Sequence, residues 1–534
     1  MMPTFTAARL TLALGCLSAA AALTVSAATA LAAPGLPSKN VAWLPAAADA
    51  DVDHAFTQAK AQNKPLLLYW GATWCPPCNQ LKATLFNRQD FAALSKSFVA
   101  VHVDGDRPGA QKLGTRFKVS GYPTVVLFTP QGQEITRLPG EADAPQVMAV
   151  LQSGLSGGRP IKAVLADALA AKALPANDWR MLAFYSWDTD EQQLVPKAEV
   201  PGTLVQLAVA QGASPGADPE TTTRLWLKAL AASDDGKGVK ADDSLRDRVD
   251  KVLADPAQSR AHMDVLSNGA DDIVRTLQPE DSPGRAPLLA AFDVALKRLE
   301  ADATLSRGDR LGALYARVLL ARLDLPKDAV QVQLPEPLLK DVREHVARAD
   351  REITDGYERM AVITSAGGLL GRAGLWSESD ALLKSNLAKS LSPYYLMSQL
   401  GSNARKLGKK EEALRWYAQA WDKSDGPATR VQWGAGYLAA LVDLAPQDAA
   451  RVEKTAARFF AEATADAGAF QGRSVRGLKR VGDKLQAWNK DGKHGTTLKR
   501  LQAQLDALCA KVDAADQQRA TCQGLLKPAP KAAA

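Results

Sequence analysis

The chain has few residues of the kinds that build metal sites, with five cysteines and five histidines among 534 residues. The histidines are scattered along the chain, at positions 54, 102, 262, 345 and 494. Cys75 and Cys78 stand close together but would have to recruit further ligands from elsewhere, and Cys509 and Cys522 are too far apart for the short ligand spacing of zinc sites. We therefore expect no bound metal.

Aromatic residues are also scarce, at 6%, although hydrophobic residues make up 46% of the chain. The apolar material is therefore carried mainly by Ala, Leu and Val, a composition that favours packed helices over a large antiparallel β architecture. A chain of 534 residues is too long for a single core, and its length predicts roughly two to four domains.

No segment concentrates positive charge. The formal net charge is +7, but Lys and Arg alternate with Asp and Glu, as in "LGKKEEALRW". Such mixing is typical of solvated helix surfaces. Because a basic stripe interleaved with aromatic residues is missing, we expect no nucleic-acid partner.

Long apolar runs are absent beyond the first 32 residues, and these predict an export signal. Arg9 is the lone charge there, the run from Leu10 to Ala28 is apolar or small, and "ALA" predicts cleavage after Ala32. One alternative is an uncleaved anchor, which would give the chain its only membrane contact. Another is a lipid on Cys16, although the residue three before it is not the usual Leu.

Removal of the signal would leave four cysteines, an even count that fits an oxidising compartment. The small-residue, Ala-rich signal resembles bacterial export signals. We therefore expect a periplasmic location.

The pattern of apolar runs divides the rest of the chain. We predict a lead-in linker over 33–48 and an α/β domain over 49–156. "PLLLYWG" and "SFVAVHVDGD" read as buried strands, "YPTVVLFTPQGQEITRLPG" as a hairpin turned at Pro130–Gly132, and "DAPQVMAVLQSGL" as a closing helix. This βαβαββα order predicts a sheet covered by helices on both faces. Helical domains are predicted over 160–360 and 361–534.

One internal similarity appears in the last domain, where residues 372–390 align with 406–424 at an offset of 34. Gly374 then matches Gly408, and Glu378 matches Glu412. This period is typical of tetratricopeptide (TPR) helical hairpins, so we predict a TPR-like array, with a nonrepetitive helical bundle as the alternative.

The aromatic residues of the same domain allow two interpretations. "SPYY" at 392–395 and three tryptophans, Trp416, Trp421 and Trp433, either line a groove or belong to the helix core. Helix core is the interpretation we prefer.

The segment "GATWCPPCNQ" places Cys75 and Cys78 between a strand and a helix, because prolines 76 and 77 are tolerated only in a first helical turn. A disulfide between these cysteines would close a loop too short to constrain the unfolded chain much. A cysteine at a helix N-terminus instead gains thiolate character from the helix dipole. The segment therefore predicts a redox centre that turns over.

"LLLYWGATWCPPC", "FVAVHVDGD", "GYPTVVLF" and the glycine of "RLPG" together resemble the thioredoxin superfamily over roughly residues 50–155. Within it, the segment looks most like the exported domains related to the C-terminal domain of periplasmic disulfide-interchange reductases. The resemblance implies that Cys75 attacks and Cys78 resolves, with Trp74 shielding the site. It further implies a substrate-binding element made of Tyr122, a cis-proline at Pro123, and Thr124.

One position departs from this family. Many thioredoxins carry a buried acid on the strand before the motif, where it helps to deprotonate the resolving cysteine, but this chain has Tyr69. Water, Tyr69 or the substrate would have to replace the acid. The Pro-Pro dipeptide lacks the histidine of strongly oxidising relatives, so we expect a reductase of protein disulfides, with an oxidase or an isomerase as the alternatives. Such a reductase needs a membrane thiol electron donor and no cofactor beyond the Cys75–Cys78 disulfide.

The second cysteine pair lies in "LQAQLDALCAKVDAADQQRATCQGLL", which predicts two helices joined near Asp513–Asp516. Such a hairpin brings Cys509 beside Cys522, and we expect a structural disulfide there; a relay to Cys75 and Cys78 is the alternative. A rival to the enzyme hypothesis is a binding protein, in which the TPR-like array is the working surface and the thioredoxin-like domain either senses redox state or is an accessory that merely packs against it.

Overall fold

The computed structural model describes residues 38, 40–119, 121–138, 140, 142–187, 194–233, 238–326, 329–466, 468–513 and 515–527. The predicted signal segment, including Cys16, lies outside these residues. No helix in the described part of the chain is long and apolar enough to cross a membrane.

The first part of the chain forms a five-stranded sheet of order β1-β3-β2-β4-β5. Its strands are β1 (Leu44–Ala46), β2 (Leu66–Gly71), β3 (Val99–Asp104), β4 (Thr124–Phe128) and β5 (Glu134–Leu138). Strands β1 and β2 run parallel to β3, while β4 is antiparallel to both β2 and β5. The helices are α1 (Asp49–Gln62), α2 (Pro76–Leu81), α3 (Gln89–Leu94), α4 (Ala110–Arg116) and α5 (Ala144–Leu155).

Strand β1 corrects the sequence prediction, because it lies inside the segment expected to be a linker. It is only three residues long and contains Pro45, so its sequence carries no strand pattern. Its place comes from pairing with β3, where Leu44 faces Val101. The thioredoxin-like sheet therefore begins at Leu44.

Strand β2 is buried along its whole length, as expected of a central strand with helices on both faces. Its side chains alternate between two cores. Leu67 and Tyr69 join the core shared with α2 and with part of the helical region, whereas Leu66, Leu68 and Trp70 join the core formed with α1 and α4. The redox segment follows at the end of this strand.

The remaining described chain is helical. Its first helices are α6 (Ile161–Leu169), α7 (Ala176–Ala183), α8 (Val200–Gly212), α9 (Pro219–Ala231), α10 (Asp243–Ala254), α11 (Pro256–Ala261), α12 (Met263–Asn268), α13 (Ala270–Leu277), α14 (Arg285–Ala301) and α15 (Arg307–Ala321). The others are α16 (Glu336–Glu352), α17 (Gly356–Arg372), α18 (Trp376–Asn386), α19 (Pro393–Lys406), α20 (Lys410–Lys423), α21 (Pro427–Leu444), α22 (Ala449–Ala463), α23 (Gly472–Trp488), α24 (Gly495–Cys509) and α25 (Gln517–Gly524). The predicted fold class, α/β followed by a large all-α region, is confirmed.

The two aligned glycines end equivalent helices. Gly374 follows α17 with φ 80° and Gly408 follows α19 with φ 72°. Both values lie in the left-handed region, where a side chain is strained, so glycine allows the chain to reverse into the next helix. The small residues that follow, Ser379 and Ala413, are completely buried. Each glycine thus joins two helices into a hairpin, α17 with α18 and α19 with α20.

The helical region packs directly on the thioredoxin-like domain. Helix α17 lies against α2, and α23 lies against α4. Polar contacts join the same surfaces: the Gln80 side-chain amide donates to Ser306 Oγ at 2.6 Å, and the backbone N–H of Arg473 donates to Gln111 Oε1 at 2.9 Å. Because α2 carries Cys78 and follows Cys75, this packing brings the helical region onto the predicted redox centre.

Candidate functional site

Cys75 and Cys78 form a disulfide at the junction of β2 and α2, with 5.2 Å between their Cα atoms. Cys75 is the N-cap of α2, and its Sγ accepts a hydrogen bond of 3.2 Å from the backbone N–H of Cys78. Pro76 takes the first helical position, where a missing N–H costs nothing. In the reduced protein this N–H and the helix dipole would both favour a thiolate on Cys75.

Trp74 is fixed by a hydrogen bond from its Nε1 to Asp106 Oδ2, at 2.8 Å. Burial raises the pKa of Asp106 to about 7, so this carboxyl group titrates near neutral pH. Asp106 follows the end of β3, and the sequence analysis did not single it out. Asp106 lies two residues after the carboxyl end of a buried strand, a position at which functional residues of α/β sheets are often found, and this position could have identified it from the sequence.

The predicted substrate-binding element lies beside the same tryptophan. The Tyr122–Pro123 peptide bond is cis. The rings of Tyr122 and Trp74 are 6.0 Å apart, and Tyr122 Oη accepts a 2.7 Å hydrogen bond from Gln111 Nε2. Thr124 Oγ1 donates to the Gly121 carbonyl at 2.9 Å, which ties the start of β4 to the turn before it. The structure therefore brings Trp74, the cysteine pair and the cis-proline element together.

Tyr69 occupies the position at which the sequence lacks an acid. Its side chain is completely buried and stacks on His102, with 5.1 Å between ring centroids. Burial raises the pKa of Tyr69 above its ordinary value and lowers that of His102 to about 3. Both groups are therefore neutral at pH 7, and neither supplies a charge to the cysteines.

The redox centre is covered. Cys78 is 0% exposed, Cys75 2% and Trp74 5%. Three side chains of the helical region contact Trp74: Tyr395 stacks on its indole at 6.0 Å, Trp433 meets it edge-on at 6.1 Å, and the Arg473 guanidinium lies 4.7 Å from the ring centroid. Arg473 also lies 5.1 Å from the ring centroid of Tyr122. We call Tyr395, Trp433 and Arg473 the cover.

The other cysteine pair lies elsewhere. Cys509, the last residue of α24, and Cys522 in α25 form a disulfide with 5.8 Å between Cα atoms. Both are completely buried in a hydrophobic cluster built by helices α20 to α25, while Cys75 and Cys78 belong to a different cluster. This arrangement favours the structural interpretation of the second pair over a relay.

Metal-ligating side chains are dispersed in the structure. In residues 40–119 and the later ranges that are described, no three His, Cys, Asp or Glu side chains lie close enough together to hold an ion. The centre itself contains two sulfur atoms, those of Cys75 and Cys78, joined as a disulfide.

Comparison with known proteins agrees with this chemistry. Residues 52–155 match the model of a thioredoxin-like domain family. A thioredoxin-like protein of Synechocystis is 35% identical over 89 residues, which are 17% of this chain and 80% of that protein. A thioredoxin from Thermus thermophilus, solved in solution, is 26% identical and covers 22% of this chain and 90% of that one, with a TM-score of 0.20.

Larger relatives share the same segment. The thiol:disulfide interchange protein DsbD 2 of Pseudomonas aeruginosa is 29% identical over 120 residues, which are 22% of this chain and 20% of that protein. DsbD of Klebsiella pneumoniae is 33% identical over 107 residues, which are 19% of this chain and 18% of that protein. This chain thus spans about a fifth of the length of the thiol:disulfide interchange proteins that it matches.

Proposed function

We propose, since this chain belongs to the thioredoxin-like family through residues 52–155, that it is a thiol–disulfide oxidoreductase working through Cys75 and Cys78. The observation that carries the proposal is the disulfide at the N-terminus of α2, held beside Trp74 and the cis-proline element. A helix N-terminus stabilises the thiolate that attacks and leaves in exchange reactions.

The direction that we propose is reduction of protein disulfides. The Cys75 thiolate attacks one sulfur of the substrate disulfide and forms a mixed disulfide, and the other substrate sulfur leaves as a thiolate. Cys78 then attacks Cys75, releases the second sulfur and closes the disulfide. The Pro-Pro dipeptide between the cysteines supplies no histidine that would stabilise the reduced form and make the centre strongly oxidising.

Location and partners follow from this direction. We propose that the chain is exported to the periplasm, because its first 32 residues have the pattern of a signal and its relatives include thiol:disulfide interchange proteins. Its substrates would be proteins with disulfides, and a membrane thiol donor would return Cys75 and Cys78 to the reduced state. No cofactor beyond the disulfide is needed for this exchange.

The cover sets a condition on this activity. A protein disulfide has to approach Cys75 along the S–S axis, yet Cys75 is 2% exposed beneath the helical region. Turnover with a protein substrate therefore requires Tyr395, Trp433 and Arg473 to move away from Trp74. The TPR-like hairpins of α17 to α20 would then recruit or orient the substrate.

The same burial favours a second candidate function. A cysteine pair enclosed between two surfaces is suited to sensing, because reduction would alter the contacts that hold the helical region in place. In this alternative the helical region binds a partner protein, and the thioredoxin-like domain reports redox state. The burial of Cys75 and Cys78 is the observation in its favour.

Trapping separates the two functions. Cys78→Ser should accumulate mixed disulfides with substrate proteins through Cys75, and the mature protein should speed the reduction of insulin by dithiothreitol. A Cys75→Ser variant is the control and should lose both effects. If Cys78→Ser traps nothing while the wild-type chain captures a partner to different extents in its oxidised and reduced forms, the binding function is correct and the enzyme function is not.

A further inference from the structure

Resolution by Cys78 raises an electrostatic difficulty. The attacking species is a thiolate, but Cys78 is completely buried, and burial in apolar surroundings raises the pKa of a thiol. Neither Tyr69 nor His102, the groups beneath the site, carries a charge at neutral pH. A positive charge close to Cys78 would lower the pKa of its thiol and so favour the attacking thiolate.

Lys82 is placed to provide it. Its backbone N–H donates to the Cys78 carbonyl, so the two residues are one helical turn apart on the same face. Side chains of a helix lean toward its N-terminus, which directs Lys82 toward the turn that holds Cys78. Lys82 is only 2% exposed, so this long cationic side chain runs through the interior rather than into solvent.

The groups around Lys82 do not neutralise its positive charge by a direct ion pair. Its Nζ lies 5.1 Å from the ring centroid of Tyr357 in α17, and no carboxylate among the described residues forms an ion pair with it. Asp104 at the end of β3 is the acid that acts on it at longer range, and burial raises the pKa of Asp104. Arg107 acts on Asp104 as well. A buried ammonium without a close counter-ion is costly, and a thiolate nearby would relieve that cost.

We infer that Lys82 is the electrostatic partner of Cys78: the positive charge of Lys82 stabilises the resolving thiolate, in a site without the buried acid that helps to deprotonate this cysteine in many thioredoxins. This inference rests on the proposed function. In the closing step the Cys78 thiolate forms a bond to Cys75 Sγ, and the bond between Cys75 and the substrate sulfur breaks. The electron pair leaves on the substrate sulfur, which takes up a proton from water in exchange for the one that Cys78 released on forming its thiolate, and two electrons have passed from the protein to the substrate.

The position of Tyr357 gives the inference a second part. Lys82 belongs to the thioredoxin-like domain, while the ring over its ammonium belongs to the helical region. An aromatic ring face attracts a cation and excludes water from it. Packing of α17 on α2 thus keeps Lys82 dry, so its charge acts on Cys78 without the screening that water would impose.

The test measures the thiol itself. In a Cys75→Ser background, absorbance at 240 nm reports ionisation of Cys78 as pH rises, and Lys82→Met removes the charge while keeping the volume. We expect Lys82→Met to lower the fraction of Cys78 thiolate near neutral pH by at least about tenfold, because the loss of a nearby positive charge raises the pKa of a thiol. Lys60→Met, which removes an exposed lysine from α1, is the matched control and should change nothing.

A second measurement uses the unmodified chain. Burial lowers the pKa of Lys82 to about 8, within reach of NMR titration of labelled lysine side chains. Coupling is reciprocal, so Lys82 should titrate at higher pH in the reduced protein than in the disulfide form. An unchanged Cys78 pKa in folded Lys82→Met overturns the inference, as does a Lys82 pKa that is equal in both redox states. Neither readout depends on turnover, so failure of the proposed function would appear separately, in the insulin assay.

Discussion

The phenol ring of Tyr395 stacks on the indole of Trp74, with 6.0 Å between the ring centroids and 22° between the ring planes. Tyr395 belongs to α19 of the helical region, and Trp74 directly precedes the cysteine proposed as the nucleophile. A side chain of the helical region thus contacts the residue next to the reacting sulfur. A substitution in this part of the helical region should therefore alter the reactivity of Cys75.

Removal of this stack should open the centre. An aromatic pair contributes about 0.5–1.5 kcal/mol beyond its buried area, so Tyr395→Ala should raise the population with an uncovered Cys75 by up to about tenfold. We expect a small dithiol protein to reduce the Cys75–Cys78 disulfide about fivefold faster in Tyr395→Ala than in the wild type. Stopped-flow kinetics of thiol release measure this rate.

A comparison of two reductants tests this explanation. Dithiothreitol is smaller than a dithiol protein and needs the cover to move less, so Tyr395→Ala should raise its rate of reduction of the Cys75–Cys78 disulfide by a smaller factor. Trp488→Ala serves as a control, since Trp488 is the last residue of α23 and stacks on His494 at 3.6 Å, so the substitution removes an aromatic stack that involves neither Trp74 nor the cover. Equal rates with the protein reductant for Tyr395→Ala and wild type would show that the cover does not limit access.

Asp106 should make stability depend on pH. Burial raises its pKa from 3.8 to about 7, so between these values the folded state binds a proton that the unfolded state has lost. The free energy of unfolding should therefore fall as pH rises from 4 to 7. Asp106→Asn keeps an oxygen for Trp74 Nε1 but does not titrate, and the wild type should lose on the order of 2 kcal/mol relative to it over this range.

Urea denaturation of both proteins at several pH values tests this slope. Other buried carboxyl groups are common to the two chains and cancel in the difference. Parallel profiles for wild type and Asp106→Asn would mean that Asp106 is ionised in the folded protein throughout.

The C-terminal disulfide should stabilise without taking part in exchange. A closed loop of about 15 residues contributes about 3 kcal/mol in the chain-entropy model, and Cys509 and Cys522 are 13 apart in sequence. The double variant Cys509→Ser/Cys522→Ser should lose roughly that amount in thermal or urea denaturation. Insulin reduction should stay at the wild-type rate, and a large fall in it under folding conditions would revive the relay interpretation.

A buried ion pair in the helical region should be costly to break. Arg224 and Asp264 are 1% and 3% exposed at their side chains and share two hydrogen bonds, Nη1 to Oδ1 at 2.9 Å and Nη2 to Oδ2 at 2.5 Å. Asp264→Ala leaves the guanidinium buried and unpaired, for an expected loss of about 3–5 kcal/mol. Asp243→Ala is the matched control, because the Arg246–Asp243 pair is exposed and should contribute at most about 1 kcal/mol.

The thioredoxin-like fold was accessible from the sequence because its signals are local. The continuous apolar run of β2 marks a central strand, and the β4–β5 hairpin turns where Pro130 and Gly132 stand, with Gly132 at φ 84°. Strand β1 was missed for the opposite reason. Its three residues have no pattern of their own and become a strand only through pairing with β3.

The cover, in contrast, could not be predicted from local sequence patterns. "SPYY" and Trp433 were noted as aromatic residues, and helix core was the preferred interpretation. That interpretation suits Trp421, which is 1% exposed in the core of α20 to α23, but Tyr395 and Trp433 contact Trp74. Which aromatic residue of an amphipathic helix meets a distant loop depends on how whole helices dock, and single-sequence periodicity carries no information on that.

The cluster of rings around the disulfide also has an optical consequence. Trp74 stands next to Cys75 in sequence and meets the ring of Trp433 at 6.1 Å. A disulfide quenches the emission of an indole that it touches, and two thiols quench it differently. The part of the chain's tryptophan emission that comes from Trp74 should therefore follow both the oxidation state of the neighbouring cysteines and the separation of the two indoles, without any attached label.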